Sequence, residues 1–224
     1  EGEQSVHTLA DTRKVGIRSL RFDADEGFFL NDVPYQFKGV CVHEDAGCFG
    51  NAVPAAVWHR RLAKLKAMGC NALRMSHNPH MPELYALCDA LGFFVIDEAF
   101  DEWEGPKNKW STGHNVYPPK HQGYYVNYPK WHEQDLTDMI LRDRNHPSII
   151  LWSIGNEVPD QTAPEGYLTA RHLKSICKSI DPLRAVTQAN DQIAAEPRAA
   201  REEFLNELDV VGYIYVGRWR TRAE

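Results

Sequence analysis

The stretch Ile149-Ile150-Leu151-Trp152-Ser153-Ile154-Gly155-Asn156-Glu157 decides how the chain folds. Six residues of strand character, Ile149–Ile154, run into a glycine, and an amide and a carboxylate follow at once. A run that is apolar almost throughout belongs to a strand covered on both faces, the condition of a parallel sheet flanked by helices. Five further runs share this character: Phe37–Val42, Ala72–Ser76, Phe93–Glu98, Ala185–Gln188 and Val210–Tyr215. Between them the apolar spacing predicts helices over Pro54–Met68, Pro82–Leu91, Trp131–Arg144, Tyr167–Ile180 and Glu196–Leu208. Pro54 suits a first helical turn, and Gly69 and Gly92 suit helix ends.

Strand–helix alternation fits either a doubly wound open sheet or a barrel. A nucleotide-binding open sheet should carry a glycine-rich turn after its first strand. Here that strand ends in Val42-His43-Glu44-Asp45, which offers no phosphate cradle. Polar, chemically capable residues instead follow nearly every strand: His43, His77, Asp101, Glu157, Asn190 and Tyr215. Chemistry gathered at the carboxyl ends of many strands is the barrel arrangement. The expected fold is therefore α/β, a (β/α)₈ TIM barrel over residues 35–224. Only about six of its eight strands can be counted, and such a barrel typically takes about 250 residues. The chain is accordingly expected to be C-terminally truncated. Residues 1–34 form a β-rich segment, expected to end a preceding β-sandwich domain, with strands at Val15–Phe22 and Gly27–Leu30, a turn at Asn31-Asp32 and another strand from Tyr35.

A net charge of −6 with scattered Lys and Arg argues against a nucleic-acid partner. No apolar stretch approaches the ~20 residues of a membrane span. The five cysteines are odd in number and show no CxxC spacing. Cys41, Cys70 and Cys88 sit in apolar runs and are expected to be buried free thiols. The chain begins Glu1-Gly2, so compartment stays open, as does oligomeric state.

At the end of its strand Glu157 would project into a barrel mouth. Glycosidic cleavage needs a carboxylic acid to protonate the leaving oxygen and a second carboxylate as nucleophile or base. Asn156 beside it can donate to a sugar hydroxyl. A helix-capping Asn with a first-turn Glu would look the same. Arg74 lies in the middle of a strand run, and a buried cation needs a carboxylate partner. That partner is either an inward-facing site carboxylate or structural Asp97 or Glu98. His77 could serve the site, cap the next helix or hold a core hydrogen bond. Asp101 is a sugar-hydroxyl acceptor or a solvated loop carboxylate.

Five ordered segments resemble glycoside hydrolase family 2: Phe37-Lys38-Gly39-Val40 with His43-Glu44-Asp45, Arg74–Pro79, Val95–Asp101, Arg144–Ser148 and Trp152–Glu157. The resemblance runs over about residues 14–216 and implies a retaining glycosidase acting on a carbohydrate substrate. It implies Glu157 as acid/base, Asn156, His43 and His77 as sugar contacts, and Arg74 as partner of the nucleophile. Tyr215 takes the place of a tyrosine beside that nucleophile, and the nucleophile itself is a Glu on a seventh strand, beyond Glu224. The chain by itself is therefore expected to lack hydrolytic activity. The Asp97–Asp101 segment is most similar to bacterial β-galactosidases, so β-D-galactosides are the expected substrates. A β-glucuronidase, whose segment resembles His43-Glu44-Asp45, and a non-catalytic carbohydrate-binding barrel are the alternatives. Some family β-galactosidases bind Mg²⁺ just past the third strand through an acid, matched by Glu102, and a histidine. Trp103 and Glu104 stand in that histidine's region, so neither a metal nor any other cofactor is expected.

Overall fold

The computed structural model describes residues 15–107, 123–192 and 200–215. Strands β1 (Leu20–Asp23), β2 (Gly27–Leu30) and β3 (Val33–Pro34) form a small antiparallel sheet. The main sheet contains β4 (Gly39–His43), β5 (Ala72–Ser76), β6 (Phe94–Glu98), β7 (Ile149–Asn156), β8 (Ala185–Asn190) and β9 (Val210–Tyr213). Its strands lie in sequence order and every neighbouring pair is parallel. Helices α1 (Ala55–Ala67), α2 (Pro82–Leu91), α3 (Tyr128–Asp143), α4 (Gly166–Ile180) and α5 (Glu202–Leu205) lie between the strands. This is the expected TIM-barrel architecture, with six strands among the described residues.

The four longer helices, α1 to α4, turn residues three or four apart toward the sheet, as amphipathic helices on a core must. α1 buries Trp58 and Leu62, α2 buries Leu84, Tyr85 and Cys88, and α3 buries Leu136, Met139 and Ile140. α4 adds Ala170, Leu173 and Cys177. They meet Leu73, Met75, Val95, Trp152 and Val186 from the sheet's outer face in one continuous core. α2 stops where Gly92 takes φ 70, a left-handed cap whose amide donates to the Cys88 carbonyl. At the amino ends of the strands, Phe28 of β2 packs 4.5 Å from Phe37 and 5.8 Å from Phe94, measured between ring centroids. Arg18 donates from its guanidinium to the Ile149 carbonyl at 2.7 Å. The small sheet thereby closes the end of the main sheet opposite Glu157.

Three expectations change. The helix expected over Glu196–Leu208 is helical at Glu202–Leu205, while residues 193–199 lie outside the described residues. Cys70 and Cys88 are buried, but Cys41 is exposed, because it lies on the concave face of β4 at the edge of the sheet. Strand boundaries move in the leading segment: the first strand starts at Leu20, and the third occupies Val33–Pro34 rather than beginning at Tyr35.

Candidate active site

Alternation along β6 separates two neighbouring acids. Asp97 points outward, where it accepts from the Tyr85 hydroxyl of α2 at 2.6 Å. Glu98 points inward to Arg74 of β5. Arg74 grips it with both ends of the guanidinium fork, Nε to Oε2 at 2.9 Å and Nη2 to Oε1 at 2.7 Å. Ser153 of β7 donates to Glu98 Oε2 at 2.6 Å, and His77 Nδ1 lies 2.8 Å from Oε1. Glu98 is fully buried, so these contacts replace its hydration shell. Burial alone would lower the pKa of Arg74, but the Glu98 charge beside it gives a net rise. Arg74 Nη2 also stands 3.3 Å from His77 Nδ1, so this ring nitrogen lies between the guanidinium and the Glu98 carboxylate.

From Arg74 the network continues toward the mouth. Nη2 donates to Asn156 Oδ1 at 2.7 Å, and Asn156 Nδ2 donates to Asp101 Oδ1 at 2.9 Å. Lys107 Nζ meets the same Asp101 oxygen at 2.6 Å and stands 3.8 Å from Glu157 Oε2. The Tyr215 hydroxyl donates to Glu157 Oε1 at 2.7 Å, and this bond leads the effects that push the phenol's pKa up to about 12. Tyr215 therefore stays a donor throughout the neutral range.

The end of β7 is built to aim these groups. Against β8 the register slips between Ser153 and Asn156, so three steps on β7 match two on its partner. A bulge of this kind re-aims a side chain. It explains how Ser153 and Asn156, three residues apart, both reach the concave face when simple alternation would separate them. Gly155 sits in the bulge because a Cβ there would lie 3.0 Å from both Trp103 Nε1 and Val158 Cγ1. Trp103 is locked against it by an indole N–H bond to the Ile154 carbonyl at 2.8 Å. Glu157 then leaves the strand at φ 48, a left-handed conformation uncommon for a residue with a side chain, and its amide donates to the Ala189 carbonyl at 2.8 Å.

The structure thus brings Glu157, Asn156, Asp101, Arg74, His77 and Tyr215 into one connected group. His43 ends β4, its ring edge-on to His77 at 5.2 Å. Asp101 is tied to Lys107 and Asn156 and is no simple solvated loop carboxylate. Asn190, also placed after a strand, is buried and donates to the Gly212 carbonyl at 2.9 Å, a bond that joins β8 to β9. Lys107, Ser153 and Trp103 escaped the sequence reading as site residues. Lys107 lies in the Glu104-Gly105-Pro106 loop, where no periodicity assigns a direction. Glu102, expected to match a magnesium ligand, is buried and accepts the Lys107 amide at 3.0 Å, while Glu104 is exposed. Among the described residues there, Glu102 is a buried carboxylate and no histidine stands beside it.

The family model described as glycosyl hydrolases family 2, TIM barrel domain, matches residues 23–211. A β-galactosidase of Bacteroides ovatus is 41% identical over 236 residues, covering 91% of this chain and 26% of that protein. Human β-glucuronidase is 32% identical, covering 84% of this chain and 27% of its own length. A solved glycosyl hydrolase family 2 member from Bacteroides cellulosilyticus superposes with a TM-score of 0.78 at 40% identity, over 90% of this chain and 24% of that one. The chain therefore spans about a quarter of the length of these relatives.

Proposed function

The chain belongs to glycosyl hydrolase family 2, and from that premise we propose that it carries the acid/base side of a retaining β-glycosidase, with Glu157 moving the proton. The observation that carries this reading is the placement of Glu157. It leaves the end of β7 with one carboxylate oxygen held by Tyr215 and the other facing Lys107, its side chain 24% exposed to the mouth. In the first step protonated Glu157 gives its proton to the departing glycosidic oxygen while a second carboxylate attacks the anomeric carbon. In the second step Glu157 takes a proton from the water that releases the sugar. Retention requires the two carboxyls to stand about 5–5.5 Å apart. Asn156, His43 and His77 are assigned to sugar hydroxyls, with Arg74 and Asp101 holding Asn156 in place.

β-D-Galactosides are the preferred substrates in this reading. Its support is the closer similarity to the B. ovatus β-galactosidase, 41% against 32% for human β-glucuronidase. Aryl galactoside and aryl glucuronide, assayed side by side on the protein that carries this chain, separate the two. Glu157→Gln is expected to depress hydrolysis of alkyl galactosides far more than of galactosides with activated aryl leaving groups, which need no protonation. An equal loss on both classes would remove Glu157 from the acid role.

A further inference from the structure

We propose that His132, Glu133 and His172 form a binding site for a divalent transition-metal ion of the zinc class, on the outer surface where α3 meets α4. Among the described residues this is the one group of three metal-capable side chains that gathers, each offering a ligand atom within 4.8 Å of the others. His172 Nε2 of α4 already lies 3.0 Å from Glu133 Oε1 of α3. The two imidazole rings stand 5.6 Å apart at 69°.

His132 is oriented before any ion arrives. Its ring stacks on buried Tyr128, with centroids 4.4 Å apart and planes 11° from parallel. Its Nδ1 lies 2.7 Å from the Tyr128 carbonyl, which can only accept, so the ring proton sits on Nδ1 and the lone pair is on Nε2. A backbone carbonyl fixing the tautomer through one ring nitrogen while the other ligates is how metal-binding histidines are held. Neighbouring cations are directed elsewhere. Arg171 pairs with Glu207 at 2.6 Å, Lys174 pairs with Asp209 at 2.6 Å, and Lys130 Nζ sits over the Trp131 ring. The negative charge of Glu133 is thereby left facing the two imidazoles.

Two imidazole nitrogens and one carboxylate oxygen suit zinc, and cobalt or nickel as analogues, whereas Mg²⁺ and Ca²⁺ prefer all-oxygen shells. Tetrahedral zinc with bonds of about 2.0–2.1 Å sets its ligand atoms about 3.3 Å apart. The present spread closes by rotation of His172 and Glu133, whose side chains are 46% and 67% exposed and free to move. Water takes the fourth position. Bound metal would link α3 to α4 and stabilise the folded chain by mass action.

The test is zinc chloride titrated into the chain with exposed Cys41 and Cys48 replaced by Ser, which removes competing thiols. One zinc equivalent per chain and a rise in melting temperature, reversed by chelator, are expected, with no rise on adding magnesium chloride. Cobalt(II) should give the intense visible bands of a low-coordinate site. His132→Gln and His172→Gln should each weaken zinc binding by at least about tenfold, since loss of a mere supporting contact to a metal histidine costs that much. His172→Gln alters an exposed side chain and so separates lost binding from lost folding, checked by the metal-free melting temperature. Undiminished binding in the double variant, or an equal response to magnesium, overturns the proposal.

Discussion

Arg74 shows what a single residue does when it is buried with its partner. Its side chain is 12% exposed and that of Glu98 is wholly buried, so neither charge can turn to water if the other is removed. Breaking such a pair costs about 3–5 kcal/mol. Arg74→Ala should therefore lower unfolding free energy by that amount in denaturant titration, while Arg74→Lys, lacking the two-pronged fork, recovers only part of it. An unchanged denaturation midpoint would show that the pair is not structural. The sequence made plain that Arg74 needed a carboxylate. It could not choose among Asp97, Glu98 and a more distant acid, because that choice depends on which face each strand residue presents. Alternation turns Asp97 to the helices and Glu98 to Arg74. Glu157, Asn156 and Tyr215 drew notice because they lie at or just past strand ends, but their roles came from the resemblance to the family, since the bulge before Asn156 breaks simple alternation. Lys107 was not, since its aim is set by loop geometry and by the two carboxylates it meets.

At the scale of the element, β7 carries the whole arrangement. Its apolar run announced a central strand, and all eight residues are buried. The bulge near its end left no mark on the pattern beyond Gly155. Gly155→Ala would push a methyl group into the Trp103 indole and Val158, an overpacking that costs about 1–3 kcal/mol. The expected result is a modest fall in melting temperature with a larger fall in kcat, because Asn156 and Glu157 are re-aimed. Loss of stability with kcat intact would separate the bulge from the site. α5 was overestimated from sequence for a related reason. Its one buried residue, Phe204, gives too little periodicity to fix where the helix begins.

Across the whole molecule the two ends of the sheet are held differently. The mouth is a network of side chains around Glu157. At the opposite end, carboxylates lace helix ends to strand starts. Asp89 of α2 meets His146 at 2.6 Å and accepts the Ser148 amide, while Asp181 after α4 meets Arg184 and the Trp152 indole. Asp209 before β9 takes Lys174, Lys178 and the Val186 amide. Burial would raise the pKa of all three, but these hydrogen bonds and cations hold each below its ordinary value. A lowered folded-state pKa contributes stability that is complete above the unfolded value of about 3.9 and lost as pH falls through the folded one. Melting temperature should therefore hold from neutrality down to about pH 5 and drop steeply below about pH 4. In Asp181→Asn that acid-side drop should be shallower, from a lower starting point. Asp97 acts with the opposite sign. Burial, and then Asp143 beside it, keep its carboxyl well above the usual range, so its contribution declines as pH rises and cannot cause an acid-side loss. For anyone redesigning the protein, this layout works as a ready partition. Residues lining the mouth other than Glu157, Asn156, Tyr215 and the Arg74–Glu98 pair can be randomised in a library for new sugars, while Asp89, Asp181 and Asp209 stay fixed as the chassis on which every variant is built.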